Sequence, residues 1–252
     1  MTTTIDLNAD MGEGFGAWRI GDGVDPHILP LISSANVAAG FHAGDPTTMA
    51  DILRQAAEHG VAVGVHPGYR DLVGFGRRHI HASAEELVND ALYQLGALRE
   101  LAAHENLTLH HFKLHGALFM HAARDDEFAQ ALCRALKHVA PSLPIYCLAG
   151  TAIDRAASEA GISRIHEFYA DRDYNDEGGI VFVRKVKPLE PEAVAQKVLK
   201  ACQDGVVEAV SGKHVHVSFQ SICIHSDTPG ALSLVKSVRS ALDQAGFEIK
   251  AH

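Results

Sequence analysis

The segment ANVAAGFHAGDPTTMADILRQAAEHGVAVGVHPG, residues 35–68, holds two short apolar runs with a helical pattern between them, and this order decides the fold class. The runs Ala35–Phe41 and Val61–Val65 are apolar on both faces, as strands of a parallel sheet covered on both sides would be. Between them, Asp45 and Pro46 begin an amphipathic helix that stops at Gly60. The segment therefore predicts a βαβ unit.

The same alternation continues in both directions along the chain. Ser83 and Glu86 form a capping-box pattern, and further helices are expected after Thr151, from Glu190-Pro191 and from Asp227-Thr228-Pro229. Seven or so such units favour a closed or nearly closed TIM-like (β/α) barrel over an open doubly wound sheet. The segments Gly178–Arg184 and Lys213–Phe219 could add strands or a hairpin. The other apolar runs are Thr4–Leu7, Leu109–Leu114, Pro144–Leu148, Ile162–Phe168 and Ser221–Ile224.

Bulk composition narrows the functional class. The 252 residues suit one barrel, so residues 1–252 are expected to form a single domain. A net charge of -9 argues against a nucleic-acid or membrane surface, because both attract an excess of Lys and Arg. The N-terminus lacks a signal-peptide pattern, and the four cysteines are scattered without C-x-x-C. We therefore expect a cytoplasmic protein with reduced, buried cysteines.

Chemically active side chains follow the apolar runs. In parallel α/β folds these positions share one rim, the carboxyl end of the sheet, where ligands bind. Asn and Asp at such places are ordinary turn residues, and Asp45 and Asp227 could simply cap helices. Turn chemistry does not explain a lysine and four histidines in the same positions. The residues concerned are Asn8, Asp10 and Glu13, then His42 and Asp45, His66, Lys113 and His115, Glu167 and Arg172, and His225.

This set suits acid–base and electrostatic catalysis, since histidine titrates near neutral pH and lysine stabilises an anion. Asp10, His42 and His66 would also satisfy a divalent metal ion of the zinc type, an alternative that the residues leave open. The glycine-rich stretch Gly12–Gly16 lacks the Lys-Ser/Thr of a Walker loop and is interpreted as a flexible loop. The chain has no G-x-S-x-G nucleophile motif.

Five blocks of sequence, in order along nearly the whole chain, resemble the LamB/YcsF family. The resemblance implies a barrel similar to that of the glycoside hydrolase/deacetylase superfamily. It also implies ATP-dependent hydrolysis of 5-oxo-L-proline to L-glutamate in a complex with B and C subunits, with ATP and Mg²⁺ bound through the complex. The blocks are Asn8–Gly16, Asn36–Pro46, Lys113–Leu118, Glu167–Arg172 and Ile222–Gly230.

We expect Asp10, His66, Lys113 and His115 to act on the reacting group. The remaining strand-end residues are expected to bind the substrate: Asn8, Glu13, His42, Asp45, Glu167, Arg172 and His225.

Other hypotheses remain open at this point. Lys113 could merely form an ion pair with Glu167 that ties two strands together. The protein could be a stand-alone metal-dependent amidohydrolase or deacetylase that uses Asp10, His42 and His66, or a non-catalytic protein of the complex that only binds substrate. The chain also departs from the family pattern, which bears on the identity of the substrate more than on the catalytic set. The departures include Leu114, Phe119, Met120 and Ser226.

Overall fold

A computed structural model describes residues 3–20, 22–184 and 186–252 of the chain. The expectation of no signal peptide depends on the N-terminal stretch. Its first two residues, Met1 and Thr2, lie outside the described residues.

The strands form a closed parallel barrel. Within the described ranges, seven strands pair in the order β1-β2-β3-β4-β5-β6-β9, and β9 pairs again with β1. This closure confirms the barrel over the open sheet. The strands are β1 (Thr4–Met11), β2 (Ser34–Ala38), β3 (Ala62–His66), β4 (His111–Phe112), β5 (Ile145–Cys147), β6 (Arg164–Tyr169), β7 (Val206–Glu208), β8 (His214–His216), β9 (Ser221–His225) and β10 (Glu248–Ile249).

Helices surround the barrel and cover its outer face, and β10 adds a short parallel pairing at the start of β1. The α-helices are α1 (Asp25–Ile28), α2 (Pro46–His59), α3 (Ala84–His104), α4 (Gly116–Ala122), α5 (Asp126–Val139), α6 (Ala152–Glu159), α7 (Pro191–Asp204) and α8 (Ala231–Gln244), and a 3₁₀ turn spans Leu29–Leu31.

Helix ends follow the capping patterns in the sequence. The Asp45 side chain accepts hydrogen bonds from the backbone N–H groups of Thr47 and Thr48, and Gly60 ends α2 with φ 67°. Glycine adopts that left-handed conformation without the strain that a Cβ would bring. Ser83 and Glu86 form the reciprocal capping box at the start of α3. These local signals fix where α2 and α3 begin and where α2 ends.

Three details differ from the sequence expectations. Residues 213–219 contribute β8, which forms a hairpin with β7. Residues 178–184 form no strand; apart from one isolated bridge from Ile180 to Tyr174, they run as a loop. The last helix begins at Ala231 behind Gly230, and not at Asp227, because the Asp227 carboxylate binds the Arg77 guanidinium instead of capping the helix.

One apolar cluster joins the helices to the outer faces of the barrel strands. The cysteines at positions 133, 147 and 223 are buried free thiols, as expected, whereas Cys202 is a free thiol that is only partly buried. Among the described residues, no helix combines the length and apolar character needed to cross a membrane.

Candidate active site

The carboxyl ends of the barrel strands bring the predicted side chains together. Parallel pairing sets Asp10 of β1 level with His225 of β9 and with Asn36 of β2. His66 is the last residue of β3, and Lys113 and His115 follow β4 with Leu114 between them. Because side chains alternate along an extended segment, Lys113 and His115 point to the same side.

Asp10 is the centre of this group. Its carboxylate lies 3.1 Å from Nζ of Lys113, 3.2 Å from Nε2 of His66 and 3.7 Å from Nε2 of His225. Burial alone would raise the pKa of Asp10, but electrostatic interactions with the neighbouring His66 and Lys113 hold it well below its usual value. Asp10 is therefore an ionised acceptor at neutral pH.

Lys113 is fully buried between two carboxylates. Its Nζ lies 3.1 Å from Asp10 and 3.0 Å from Glu167, and it donates to the side-chain oxygen of Asn8 at 3.2 Å. Burial would lower the pKa of Lys113, but the negative charges around it raise the pKa well above its usual value. The ion pair with Glu167 exists together with the contact to Asp10, so Lys113 both ties strands together and faces the candidate site.

Three histidines and Glu13 form a second cluster beside Asp10. Nε2 of His42 and Nδ1 of His115 lie 3.2 and 3.3 Å from the same Glu13 oxygen, and the two rings stack 3.7 Å apart. Nε2 of His66 lies 3.0 Å from Nδ1 of His115. Burial, assisted by the neighbouring His115, lowers the pKa of His42 to about 3, so His42 is neutral.

His225 is held by a buried carboxylate. Its Nδ1 donates to Asp171 at 2.9 Å, which leaves Nε2 on the side of Asp10. Asp171 also accepts from Thr228 and pairs with Arg172. Burial would raise the pKa of Asp171, but His225 and Arg172 hold it well below its usual range. A carboxylate that fixes one ring nitrogen leaves the other available for proton transfer.

Several of these side chains border a cavity of about 30 Å³. That volume holds about one water molecule. Ile180, Phe182 and Val183, from the segment between β6 and α7, line one part of the cavity. The other lining side chains are Asp10, His66, Arg77, Lys113, Leu114, His115, Phe119, Met120, Tyr169, Arg172 and His225.

The cavity separates the predicted residues into three groups. Asp10, His66, Lys113, His115, Arg172 and His225 border it directly. Asn8 and Glu167 are hydrogen-bonded to each other beneath Lys113, and Glu13 and His42 lie behind the His66–His115 pair. Asp45 is not part of this group: it caps α2, binds the backbone of Gly16 and borders a separate surface groove of about 580 Å³.

Sequence reasoning missed Arg77, Tyr169 and Asp171 as site residues. Arg77 follows β3 by a long loop, so no strand end pointed to it; its guanidinium binds Asp227 through two hydrogen bonds of 2.7 and 2.9 Å. Asp171 lies two residues after the end of β6 and was recognised as a strand-end residue, but only its neighbour Arg172 was assigned to the site. Tyr169 donates to Glu167 at 3.0 Å, and it is the last residue of β6.

The sequence suggested Asp10, His42 and His66 as ligands of a divalent metal ion, but the structure brings a different set of possible ligands together. Possible ligand atoms of Glu13, His42, His66 and His115 all lie within 4.8 Å of one another. Asp10 contacts His66 but lies outside this group; the structure groups it instead with Cys223 and His225.

Comparison with known proteins agrees with the fold and the order of the motifs. The family model described as LamB/YcsF family matches residues 5–252. A relative in Pseudomonas aeruginosa, named as an A subunit of 5-oxoprolinase, is 59% identical over 249 residues, which are 99% of each chain. The crystal structure of a lactam utilization protein from Thermus thermophilus superposes with a TM-score of 0.92 at 43% identity, covering 99% of this chain and 100% of that one.

A more distant structure shares only the fold. A deacetylase named T48, solved with substrate, superposes with a TM-score of 0.51 at 13% identity, over 98% of this chain and 87% of that one. The barrel is thus TIM-like and related in architecture to a deacetylase, as the sequence predicted. From its nearly full-length match to the family model and its high identity to these relatives, the chain belongs to the LamB/YcsF family.

Proposed function

We propose that this chain is the A subunit of an ATP-dependent 5-oxoprolinase, and that its barrel hydrolyses 5-oxo-L-proline to L-glutamate together with B and C subunits. The support is the name of its relatives at 59% identity over nearly the whole chain, together with the polar cavity. ATP with Mg²⁺ would bind through the complex. A cytoplasmic location and a single domain over residues 1–252 stay predictions.

The chemistry explains why such a reaction needs ATP. A lactam amide is stabilised by resonance and opens reluctantly, and transfer of a phosphoryl group from ATP to its oxygen makes the ring carbon open to attack by water. The C–N bond then breaks and leaves an acyl phosphate, which a second water molecule hydrolyses to release phosphate. Ring opening then needs a group that takes a proton from water and a group that gives one to the departing nitrogen. Summed over the reaction, 5-oxoproline, ATP and two water molecules become glutamate, ADP and phosphate.

The observation that carries the proposal is the pair of Asp10 and His225 at the cavity wall. The Asp10 carboxylate is ionised and lies 3.7 Å from the ring nitrogen of His225, whose other nitrogen is fixed by Asp171. The two groups are therefore placed to exchange protons with one bound water or substrate atom between them. Asp10 would act toward water, with His66 orienting it.

Lys113 would stabilise the negative charge that develops on the reacting oxygen. It is a fully buried ammonium at the cavity wall, where an electrostatic interaction is stronger than in water. Arg77 and Arg172 would hold the substrate carboxylate or a phosphoryl group, since guanidinium binds both through paired hydrogen bonds.

Substrate entry would require movement of side chains that line the cavity. A five-membered lactam is larger than the single water molecule that a cavity of about 30 Å³ holds. Ile180, Phe182 and Val183 would have to move outward to admit it, and docking of the partner subunits is the natural trigger in a reaction that needs them.

The test is glutamate release from 5-oxo-L-proline and ATP by the purified chain, alone and with its candidate B and C subunits. We expect release only from the complete mixture, and none when ATP or this chain is left out. Equal release from the B and C subunits without this chain would contradict its catalytic role. Release from this chain alone, without ATP, would support the metal-dependent amidohydrolase hypothesis instead.

A further inference from the structure

Two backbone carbonyls fix the tautomers of His66 and His115. Nδ1 of His66 lies 2.9 Å from the carbonyl oxygen of Lys113, and Nε2 of His115 lies 2.9 Å from the carbonyl oxygen of Phe75. A carbonyl oxygen only accepts hydrogen bonds, so both nitrogens carry the hydrogen. The remaining nitrogens, Nε2 of His66 and Nδ1 of His115, therefore hold lone pairs when the rings are neutral.

Those two lone-pair nitrogens face each other inside the protein. They are 3.0 Å apart, and the ring planes are nearly perpendicular at 88°. Two acceptors at this distance repel each other unless a cation or an extra proton lies between them. Both residues are buried, so bulk water does not screen the repulsion.

Carboxylate oxygens converge on the same point. An oxygen of Glu13 lies 3.3 Å from the His115 nitrogen and 4.0 Å from the His66 nitrogen. The other Glu13 oxygen is buried and finds no hydrogen-bond partner among the described residues. Buried carboxylate oxygens are normally satisfied, so this one independently indicates a ligand that takes part of the Glu13 charge.

The spacing of these donors matches a known coordination geometry. Zinc–ligand bonds of about 2.0–2.1 Å in a tetrahedron place neighbouring ligand atoms about 3.3 Å apart. The distances of 3.0, 3.3 and 4.0 Å among the three donors bracket that value. A histidine whose other nitrogen donates to a carbonyl is also the usual arrangement of a metal ligand.

We propose that Nε2 of His66, Nδ1 of His115 and the Glu13 carboxylate bind one divalent transition-metal ion of the zinc class. Two imidazoles and one carboxylate leave a fourth position open, which is typical of catalytic rather than structural zinc sites. His42 holds the Glu13 carboxylate from behind, through Nε2 at 3.2 Å. Asp10 lies 3.2 Å from the His66 nitrogen on the cavity side, so the open position borders the cavity.

The ligand types favour zinc, cobalt or nickel over magnesium and calcium. Magnesium and calcium prefer sites made of oxygen atoms alone, and this site has two imidazole nitrogens. The proposed set shares His66 with the set expected from sequence but replaces Asp10 and His42 by Glu13 and His115. The inference depends on side-chain geometry alone and not on the proposed substrate.

Binding of the metal is measured on the full-length chain without partners or substrate. The chain is stripped with a chelator, the chelator is removed, and Zn²⁺ or Co²⁺ is titrated in by calorimetry with melting temperature as a second readout. We expect one equivalent to bind and the melting temperature to rise. Glu13→Gln and His66→Gln should each weaken metal binding by more than about 100-fold. Loss of a residue that only supports a metal ligand weakens binding by at most about 100-fold, so a larger loss identifies a direct ligand.

His138→Gln is the matched control, because His138 is exposed on α5 and reports weak binding to the many surface histidines. Circular dichroism of each metal-free variant shows whether it is folded; if one is not, the other still tests the site. Stoichiometry well below one, or equal affinity in the ligand variants and the control, overturns the proposal. The short contact between His66 and His115 would then be explained by a proton that the two rings share. The glutamate assay is not used, so failure here is separate from failure of the proposed function.

Discussion

Replacement of Lys113 by methionine should lower stability and turnover together, and the two effects can be separated. The Lys113 ammonium lies 3.0 Å from Glu167 and 3.1 Å from Asp10 in the barrel interior. Removing one partner of a buried ion pair costs about 3–5 kcal/mol, because the carboxylates stay buried without their counterion. Total stability is typically about 5–15 kcal/mol, so Lys113→Met should still fold at low temperature.

A second substitution isolates the structural part of that loss. The double variant Lys113→Met/Glu167→Gln removes one of the two orphaned charges. Asn8 and Tyr169 donate to different Glu167 oxygens, so the single glutamine oxygen keeps one of these two hydrogen bonds. We expect it to recover roughly half of the lost free energy of unfolding, since one uncompensated carboxylate remains. Turnover should stay low by about 10²–10³-fold, the effect of losing one group that stabilises developing negative charge.

Urea unfolding followed by circular dichroism gives the stability of both variants, and glutamate release with the partner subunits gives turnover. The single variant Glu167→Gln is the control for substitution at that position. Recovery of normal turnover in the double variant would refute a catalytic role and leave Lys113 as a tie between strands. An unchanged stability in Lys113→Met would refute the buried ion pairs themselves.

Three further outcomes are expected. Gly68→Ala would place a Cβ 2.5 Å from Nδ1 of His42, so thermal melts should show a loss of about 1–3 kcal/mol, whereas Gly96→Ala, with open space at its Cβ, should not destabilise. Burial lowers the pKa of Lys197 to about 8, so between pH 8 and about 10 the folded protein binds fewer protons than the unfolded chain. The free energy of unfolding measured in urea should therefore rise over this pH range. A similar rise in Lys197→Met would contradict this explanation. Asp171→Asn should lower kcat/KM by about 10²–10⁴-fold in the glutamate assay, because His225 would lose the carboxylate that fixes its tautomer. Unchanged kinetics would contradict a role of His225 in proton transfer.

Local sequence patterns predicted the barrel strands well, because each is an apolar run between recognisable helix ends. The pattern around Asp45 predicted the start of α2, since an Asp side chain satisfies the free N–H groups there. The same pattern failed at Asp227, where a long-range ion pair with Arg77 takes the side chain away from the helix. No local pattern contains that information.

The candidate site was predictable where function lies at strand ends and unpredictable where it depends on distant contacts. Asp10, His66 and His115 lie at or just after the ends of their strands, and topology alone brings them to one rim. The contact of Glu13 with two stacked histidines depends on the path of the loop after β1, which no periodicity describes. The fixed tautomers depend on individual carbonyl oxygens, and these appear only in three dimensions.

The central claim is that this barrel itself carries out the hydrolytic step. Asp10→Asn tests it most directly, since it keeps the shape of the side chain and removes the charge that three neighbours share. The variant is assembled with wild-type B and C subunits, complex formation is checked by gel filtration, and glutamate release is measured. We predict an intact complex whose release of glutamate falls by about 10²-fold or more, as for loss of a positioned proton acceptor. An intact complex that releases glutamate at the wild-type rate would contradict the claim.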